Sequence, residues 1–185
     1  INVEKNITKT IYYLEKGEKL NNSNSLNMLG FLYQNGIGLP KNDTKAFYYY
    51  NKASEYGNLF AISNLGECYE KGIGVEKNLT KMIELYKKAT HHNCSFGAKS
   101  LGHCYMNGIG VKQNDLKAIK YLKKAVHLGY NEAYILLGSI YERGNNVTQN
   151  LTKAVKYYEK AVENGVNNGF IKLAQVFVNN SNPNM

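Results

Sequence analysis

The pattern of apolar and polar residues along the chain repeats every 36 residues. Each repeat carries an apolar block in which a leucine–glycine pair is followed three residues after the glycine by tyrosine and then by a polar turn that contains glycine. The blocks are LGFLYQNGIGL (29–39), LGECYEKGIGV (65–75), LGHCYMNGIGV (101–111) and LGSIYERGNNV (137–147). Self-similarity at a fixed period of about 20 to 50 residues is typical of stacked helical repeats rather than of a single globular core.

A second block follows each first block at a constant distance. These second blocks are KAFYYYNKA (45–53), KMIELYKKA (81–89), KAIKYLKKA (117–125) and KAVKYYEKA (153–161). In both kinds of block the recurring apolar positions lie three, four and seven residues apart, which places them on one face of an α-helix. Each repeat therefore predicts a helix of about eleven residues, a loop of about seven and a helix of about thirteen.

Glycine and asparagine mark the predicted helix ends. Gly36 and Gly38, with their equivalents, end the first helix, because glycine readily adopts the backbone conformation that terminates a helix. Asparagine is a preferred N-cap residue. The predicted N-caps of the second helices are Asn42, Asn78, Asn114 and Asn150.

The array begins and ends with half a repeat. KTIYYLEKG (9–17) is a second block without its first, and FIKLAQVF (170–177) is a first block in which Ala174 replaces the glycine. The predicted boundaries are a half-repeat at 1–24, full repeats at 25–60, 61–96, 97–132 and 133–168, a half-repeat at 169–178 and a flexible tail at 179–185.

A terminal repeat exposes the face that a neighbouring repeat would otherwise cover. The predicted apolar edge comprises Ile7, Ile11 and Leu14 at the front of the array. At the back it comprises Leu173 and Phe177. Further repeats, a capping helix or a partner subunit are therefore expected at one or both ends.

The repeat frame has a specific family resemblance. Residues 61–75 read AISNLGECYEKGIGV, and 117–125 supply the matching second half. This frame resembles the Sel-one-like repeat (SLR) family, a relative of the tetratricopeptide repeats, from about residue 5 to 178. The resemblance implies an all-α fold: a right-handed superhelical α/α solenoid of 36-residue helix-turn-helix repeats. A secreted bacterial branch of that family bridges its helix pairs with cysteines, and those positions here hold Ser54, Thr90, Val126 and Val162.

The chain is basic, and the charge raises the question of a polyanionic partner. It has 185 residues, 23 Lys+Arg against 14 Asp+Glu and a formal net charge of +9. Arg143 is the single arginine, whereas proteins that contact base edges usually rely on arginine. The lysines form two ladders on the second helices, which are Lys9, Lys45, Lys81, Lys117 and Lys153, and Lys16, Lys52, Lys88, Lys124 and Lys160. A solvated outer face and a docking surface for an acidic partner or membrane both remain open.

The resemblance to tetratricopeptide repeats implies that the first helices line a concave groove. Its outward positions lie six and three residues before, and one and four after, the small residue of each first helix. The predicted partner-binding residues are Phe31, Gln34, Phe60, Glu67, Glu70, Phe96, Lys99, His103, Met106, Ile135, Glu142 and Ile171. Apolar side chains at such positions favour a docking strip. For five apolar members of this set, packing between repeats is the alternative; they are Phe31, Phe60, Phe96, Met106 and Ile135.

No catalytic constellation stands out, and no cofactor is predicted. His91, His92 and Cys94 have metal-ligand side chains, but no second ligand pair at zinc spacing accompanies them, so they are interpreted as a surface loop. Cys68 and Cys104 occupy equivalent points on successive first helices. Such helices are about 8–10 Å apart, too far for a disulfide, so no bond between them is expected.

Eight N-x-S/T sequons occur in the chain. They start at Asn6, Asn21, Asn42, Asn78, Asn93, Asn146, Asn150 and Asn179. Four of them share the N-cap phase, so duplication of one capping motif accounts for half of the number. The secretory pathway, including the endoplasmic reticulum, and the cytosol therefore both remain open.

These observations favour a non-catalytic scaffold or adaptor that binds partner segments in the groove as part of a larger protein or complex. The family resemblance implies adaptor roles, among them the luminal adaptor of endoplasmic-reticulum degradation complexes. The alternative hypothesis is binding of RNA or an acidic membrane through the lysine ladders. The sequence contains no apolar run of about eighteen residues, so no membrane span is predicted.

Overall fold

The computed structural model describes residues 3–181, with side chains described for 6–179. The chain divides into two compact units, Ile1–His92 and Asn93–Met185. The helices of the first unit are α1 (Val3–Lys19), α2 (Ser23–Asn35), α3 (Asp43–Glu55), α4 (Leu59–Lys71) and α5 (Leu79–His91). Those of the second are α6 (Ser95–Asn107), α7 (Asp115–His127), α8 (Ala133–Arg143), α9 (Leu151–Glu163) and α10 (Asn168–Ser181). The described part of the chain contains no β-strand.

The second helices start where the asparagines predict. In α3 the Asn42 side chain accepts a hydrogen bond from the backbone N–H of Lys45 at 2.8 Å. The same bond caps the three other predicted second helices, at Asn78, Asn114 and Asn150. Each asparagine thereby satisfies one of the backbone donors that a helix start leaves without a partner, and the N-cap prediction is confirmed.

Two of the first helices, α2 and α4, are longer than expected at their starts. α2 and α4 each contain 13 residues, against the eleven or so that the sequence pattern indicates. Asn22 and Asn58 cap them by accepting hydrogen bonds from Ser25 N and Ala61 N, which extends each helix toward its N-terminus. At the other end Gly36 adopts φ 67° and ψ 35°, and its N–H donates to the Leu32 carbonyl. The left-handed glycine therefore ends the helix, as predicted.

Within each repeat the two helices meet at a small residue. In the first full repeat Gly30 on α2 faces the ring of Tyr50 on α3. A Cβ atom built on Gly30 would lie 2.6 Å from that ring, so only glycine permits this approach. Ala46 and Ala53 on α3 are completely buried, and small residues on both helices thus set the close spacing.

Tyrosine fills the space beside this seam. Tyr33 and Tyr49 stack with ring centroids 5.5 Å apart and planes inclined by 6°. The equivalent pairs of the second unit stack at 5.6 and 5.7 Å, namely Tyr105–Tyr121 and Tyr141–Tyr157. These offset-stacked pairs explain much of the tyrosine content as packing between helices.

The ends of the helical array differ from the expectation in two respects. Helix α10 continues to Ser181, so 179–181 are helical rather than part of a flexible tail, and 182–185 lie outside the described residues. At the front, Ile7 and Ile11 are half-buried because they pack against the loop at Gly38, where a Cβ would lie 2.4 Å from Ile7 Cγ1. The exposed apolar side chains on α1 are instead tyrosines. None of the helices in residues 3–181 is long and apolar enough to cross a membrane.

Candidate partner-binding surface

The first unit exposes large apolar side chains on its two first helices. Phe31 on α2 is 45% exposed and Phe60 on α4 is 60% exposed, and neither is part of the core between repeats. Met28, one turn before Phe31 on α2, is also exposed. We name these three residues, Met28, Phe31 and Phe60, the α2–α4 patch. Large side chains left in water at such positions are typical of contact surfaces.

Asparagine side chains join the two helices that carry this patch. Asn64 on α4 donates to Asn27 Oδ1 on α2 at 2.9 Å. The buried Asn58 donates to Asn24 Oδ1 at 2.9 Å and to the Ser23 carbonyl at 3.3 Å. The positions of Asn24 and Asn27 lie on the predicted groove face, but their sequence context does not reveal that they bond to the neighbouring helix.

The patch lies on both sides of one of these bonds. Phe60 precedes Asn64 by four residues on α4, and Phe31 follows Asn27 by four residues on α2. Since four residues advance a helix by about 6 Å, each phenylalanine lies about one turn from the Asn27–Asn64 bond. The Asn27–Asn64 hydrogen bond thus lies between the two phenylalanines of the α2–α4 patch along the helix direction.

Three of the predicted groove residues have partners inside their own repeat. The Tyr50 hydroxyl donates to Gln34 Oε1 at 2.6 Å, and the Tyr86 hydroxyl donates to Glu70 Oε2 at 3.1 Å. In the second unit the same bond joins Tyr158 to Glu142 at 2.5 Å. Gln34, Glu70 and Glu142 therefore accept hydrogen bonds from buried tyrosines of the second helices.

The environment of Tyr50 and Tyr158 keeps their hydroxyls protonated. Burial raises the pKa of Tyr50 well above its usual range, and the nearby Cys68 and Glu67 raise it further. For Tyr158 burial again comes first, and its hydrogen bond to Glu142 adds to the rise in pKa. A neutral hydroxyl is the form that donates a hydrogen bond to the acceptor.

Met106 departs from the expectation of an exposed contact residue. Its side chain is buried, with 7% exposed. The repeat that contains it has Leu122 where the three other full repeats have tyrosine, so no hydroxyl requires a polar acceptor. An apolar side chain can then be buried at the position that elsewhere holds Gln34 or Glu70, and Met106 is therefore removed from the surface open to a partner.

Glu67 forms an ion pair within α4. Lys71, one turn later, donates a hydrogen bond to Glu67 Oε1. This bond is the main reason that the pKa of Lys71 is raised above its ordinary value. An exposed pair of this kind contributes little stability, but it partly neutralises the charge that Glu67 would offer to a basic partner.

The predicted residues of the second unit are mostly engaged. Lys99 Nζ lies 4.3 Å from the ring centroid of Phe96 and 5.6 Å from that of Tyr130. Ile135 packs against the core around Tyr158. His103 is half-buried, with interactions of its own. Ile171 on α10 is exposed and remains available.

The first lysine ladder also has aromatic partners. Lys45 Nζ lies 5.0 Å from the Tyr33 ring centroid. The equivalent lysines repeat this contact at 5.2 to 5.3 Å, in the pairs Lys81–Tyr69, Lys117–Tyr105 and Lys153–Tyr141. These are cation–π distances. The lysines of this ladder therefore contact tyrosines of their own repeats, in addition to giving the surface its positive charge.

Cysteine and histidine form no assembled site in the described residues. Cys68, Cys94 and Cys104 are buried and no disulfide joins them, as expected for Cys68 and Cys104. Burial raises the pKa of Cys68 to about 12, so its thiol is protonated and unreactive at neutral pH. His91 and His92 are exposed, whereas Cys94 is buried at the start of α6 rather than in a surface loop. Residues 3–181 contain no group of three or more ligand side chains suited to a metal.

Several solved structures resemble this fold. A Sel1 repeat protein from Oxalobacter formigenes matches with a TM-score of 0.83 and 29% identity, over 94% of this chain and 72% of that one. The c5321 protective antigen of uropathogenic Escherichia coli, which displays an SLR fold, matches with a TM-score of 0.77 and 27% identity, over 89% of this chain and 35% of that one. Cysteine-rich protein B of Helicobacter pylori shares 33% identity over 71% of this chain and 95% of its own, with a TM-score of 0.53. No curated protein matches at a significant level.

The similarity extends from fold to sequence family. The ten helices of residues 3–181 and these neighbours confirm the fold class, an all-α repeat solenoid. A family model described as Sel1 repeat matches five consecutive segments that cover most of the chain. They are residues 1–22, 23–58, 59–94, 97–130 and 131–166. The chain therefore belongs to the Sel1 repeat family.

Proposed function

We propose that this chain is a non-catalytic scaffold that binds an apolar segment of a partner protein on the α2–α4 patch. Sel1 repeat proteins are generally protein–protein interaction scaffolds and typically non-catalytic. The observation that carries the proposal is the exposure of Phe31 and Phe60 on neighbouring first helices. In many protein interfaces a few large side chains, often aromatic, become buried at the centre and supply most of the binding energy.

The chemistry of the patch indicates what such a segment would look like. Two phenylalanines and a methionine favour a partner with apolar side chains spaced to reach both helices. Between them the Asn27–Asn64 pair offers amide groups, which can hydrogen-bond a peptide backbone. Beside it Glu67 is paired with Lys71, so we expect charge to contribute less to selection than apolar contact.

The test is a binding measurement on selected peptides. Peptides selected from a random displayed library on the immobilised 185-residue chain would be synthesised and titrated against it. The double variant Phe31→Ala/Phe60→Ala should weaken binding by at least about tenfold, because a hot-spot aromatic is worth about 2 kcal/mol. Tyr56→Ala removes an aromatic side chain that is exposed on the same unit but outside the patch, and it should leave the affinity unchanged.

Thermal unfolding of each variant checks that the fold is intact, and little change is expected since both phenylalanines are exposed. The proposal is wrong if the double variant binds the selected peptides as tightly as the unaltered chain. It is also wrong if Tyr56→Ala weakens binding to the same extent.

The lysine ladders support a polyanion-binding alternative less well. Lys45, Lys81, Lys117 and Lys153 each lie over a tyrosine ring, which gives this ladder a role inside the repeat. Binding to RNA or acidic lipid would lose affinity steeply with added salt. Binding of an apolar peptide at the α2–α4 patch should change little over the same range of salt.

A role as a luminal adaptor in endoplasmic-reticulum degradation is a narrower form of the scaffold proposal. It requires a secretory location, and several sequon asparagines, such as Asn6, Asn21 and Asn93, are exposed. A decrease in the mass of the native protein after N-glycosidase treatment would support that location. An unchanged mass would favour the cytosolic form of the scaffold.

A further inference from the structure

The α4–α5 repeat departs from the other full repeats at one packing position. In those three repeats a tyrosine of the second helix stacks on a tyrosine of the first, in the pairs Tyr33–Tyr49, Tyr105–Tyr121 and Tyr141–Tyr157. In the α4–α5 repeat the first-helix tyrosine is Tyr69, and the second-helix position holds Leu85. Leucine has no ring, so the second helix of this repeat provides an aliphatic side chain where the others provide an aromatic one.

A surface cavity lies at this position. Its volume is about 340 Å³, and it is open to solvent among α3, α4 and α5, with Leu65, Tyr69 and Leu85 in its wall. Leu85 packs against the core cluster that contains Leu65, and Phe47 meets the Tyr69 ring edge to face at 5.6 Å. The cavity therefore has an apolar and aromatic wall beside the position that holds a second tyrosine ring in the other repeats.

The neighbouring repeat shows that one tyrosine ring accepts both a lysine and a second ring. Tyr33 has Lys45 Nζ 5.0 Å from its ring centroid and, at the same time, Tyr49 stacked at 5.5 Å. Tyr69 has the same lysine contact, because Lys81 Nζ lies 5.3 Å from its ring centroid. A ring can therefore stack on Tyr69 while Lys81 keeps its place.

The polar groups of the cavity include an acceptor for a ring hydroxyl. In the preceding repeat the Tyr49 hydroxyl donates to Glu18 Oε2 on the preceding second helix at 3.2 Å. Ser54 on α3 has the position that corresponds to Glu18, and it lines the cavity. Its own hydroxyl donates to the Asn51 carbonyl at 2.8 Å, and the lone pairs of Ser54 Oγ can accept a further hydrogen bond. A tyrosine ring in the cavity therefore suits these surroundings better than a phenylalanine ring.

The charge around the cavity favours an acidic ligand. Lys81 and Lys88 line it on α5, four residues before and three residues after Leu85, and both are exposed. Glu84 is the acidic residue of the same wall, so positive charge is in excess. The two lysines start about 10 Å apart along the helix. Carboxylates on both sides of a bound ring can therefore each meet one of them.

We propose that this cavity binds a tyrosine side chain of a partner protein, in a segment that has an acidic residue on each side of it. The partner's ring stacks on Tyr69, in place of the tyrosine that Leu85 replaces, and its hydroxyl donates to Ser54 Oγ. The acidic neighbours pair with Lys81 and Lys88. A protein segment is the favoured occupant because the group that the other repeats hold here is itself a protein side chain. The site goes beyond the proposed function, since it shares no residue with the α2–α4 patch.

The test is an NMR titration of the isotope-labelled 185-residue chain with the acetylated and amidated tripeptide Glu-Tyr-Glu. The amide signals of Leu65, Tyr69 and Leu85 should shift as the peptide is added. Leu85→Tyr supplies the ring from within the chain, so it should weaken binding by at least about tenfold, as expected for loss of a hot-spot contact. This variant should stay folded, because the three other full repeats have tyrosine at the same position. Leu116→Tyr makes the same change at an exposed position of α7 and should leave binding unchanged.

Two further peptides separate the contributions of the ring and of the charges. Glu-Ala-Glu lacks the ring and should produce no shift at the cavity. Lys-Tyr-Lys reverses the flanking charges and should bind about fivefold more weakly than Glu-Tyr-Glu, since exposed ion pairs contribute modestly. Lys88→Gln removes one exposed charge and should weaken binding of Glu-Tyr-Glu by about twofold.

The proposal is overturned if Leu85→Tyr binds Glu-Tyr-Glu as tightly as the unaltered chain, or if the signals at the cavity do not move over the whole titration. Equally tight binding of p-cresol, which is the ring without its flanking residues, would assign the cavity to a small aromatic molecule instead. Shifts of the same signals with protein concentration alone would assign it to a second copy of the chain. The α2–α4 patch is tested separately, because its binding depends on Phe31 and Phe60.

Discussion

Two neighbouring repeats of the second unit solve the same packing problem in different ways. In α8–α9 the buried Tyr158 donates a hydrogen bond to Glu142, while Ser139 lies 3.2 Å from the same hydroxyl. In α6–α7 the same two positions hold Leu122 and Met106, and both are buried. One repeat therefore closes its helix pair with a hydroxyl and a carboxylate, and the other with apolar side chains alone.

The difference indicates that the residue type at the first-helix position depends on the residue type at the facing second-helix position. A carboxylate faces the second helix only where a hydroxyl can donate to it, and methionine takes its place only where that hydroxyl is missing. Glu70 and Glu142 on the first helices are therefore in the first place acceptors for a tyrosine hydroxyl and only afterwards features of the surface. This distinction matters because such glutamates give the groove positions their negative charge.

The largest effect is expected when the α6–α7 repeat receives only one residue of the hydroxyl–carboxylate pair. Met106→Glu would place a carboxylate against Leu122, and a buried charge without a partner should lower the free energy of unfolding by about 3 kcal/mol. Adding Leu122→Tyr restores the pair of the α8–α9 repeat and should recover part of that loss. Urea unfolding of the two single variants and the double variant measures the coupling between the positions.

Met106→Leu is the matched control, since it preserves apolar character and should cost less than about 1.5 kcal/mol. If Leu122→Tyr did not improve the stability of Met106→Glu, the two positions would be independent. The comparison between the repeats would then be a coincidence of sequence.

Much of the fold can be predicted from the sequence, because the residues that start, end and pair the helices act over short distances along the chain. The 36-residue period, the asparagine caps and the left-handed glycines such as Gly36 act within a few residues of where they stand. The starts of α2 and α4 were less predictable, since Asn22 and Asn58 lie outside the repeated blocks. Likewise Ser181 is helical although the polar sequence around it indicates a tail.

The candidate surface was harder to predict, because it depends on which side chains have partners across helices. Exposure of Phe31 agrees with its groove phase, but the same phase rule also selected the buried Met106. Position on one helix does not reveal whether the facing helix offers tyrosine or leucine. The residue at the paired second-helix position distinguishes the two cases. Gln34 is paired with Tyr50, whose hydroxyl donates to it, whereas Met106 is paired with Leu122.

A second effect, about 1 kcal/mol, should appear at alkaline pH. The pKa of Tyr158 is raised in the folded chain, so above pH of about 10 the unfolded chain releases a proton that the folded chain retains. The stability due to this tyrosine is therefore complete below about pH 10 and decreases as the pH rises through and beyond that value. Urea unfolding at about pH 8 and about pH 11 should show a smaller decrease for Tyr158→Phe than for the unaltered chain.

Leu122 sharpens this measurement, because its repeat has no hydroxyl at the equivalent position. Leu122→Phe alters the α6–α7 repeat without removing a titrating group, so its decrease between the two pH values should equal that of the unaltered chain. An equal decrease for Tyr158→Phe would show that the proton of Tyr158 does not contribute to the alkaline loss.

The smallest effect concerns a feature that the two repeats share. Lys117 lies 5.3 Å from the Tyr105 ring and Lys153 lies 5.2 Å from the Tyr141 ring, so this contact does not depend on the choice between Tyr158 and Leu122. Lys117→Gln should lower the free energy of unfolding by about 0.5 to 1 kcal/mol, the range for an exposed cation–π pair. Lys153→Gln should have the same effect, whereas Lys156→Gln on the exposed face of α9 should change stability by less than about 0.5 kcal/mol. If all three substitutions cost the same, the ladder would act through net charge alone, and the lysines would be a surface feature rather than a part of the repeat.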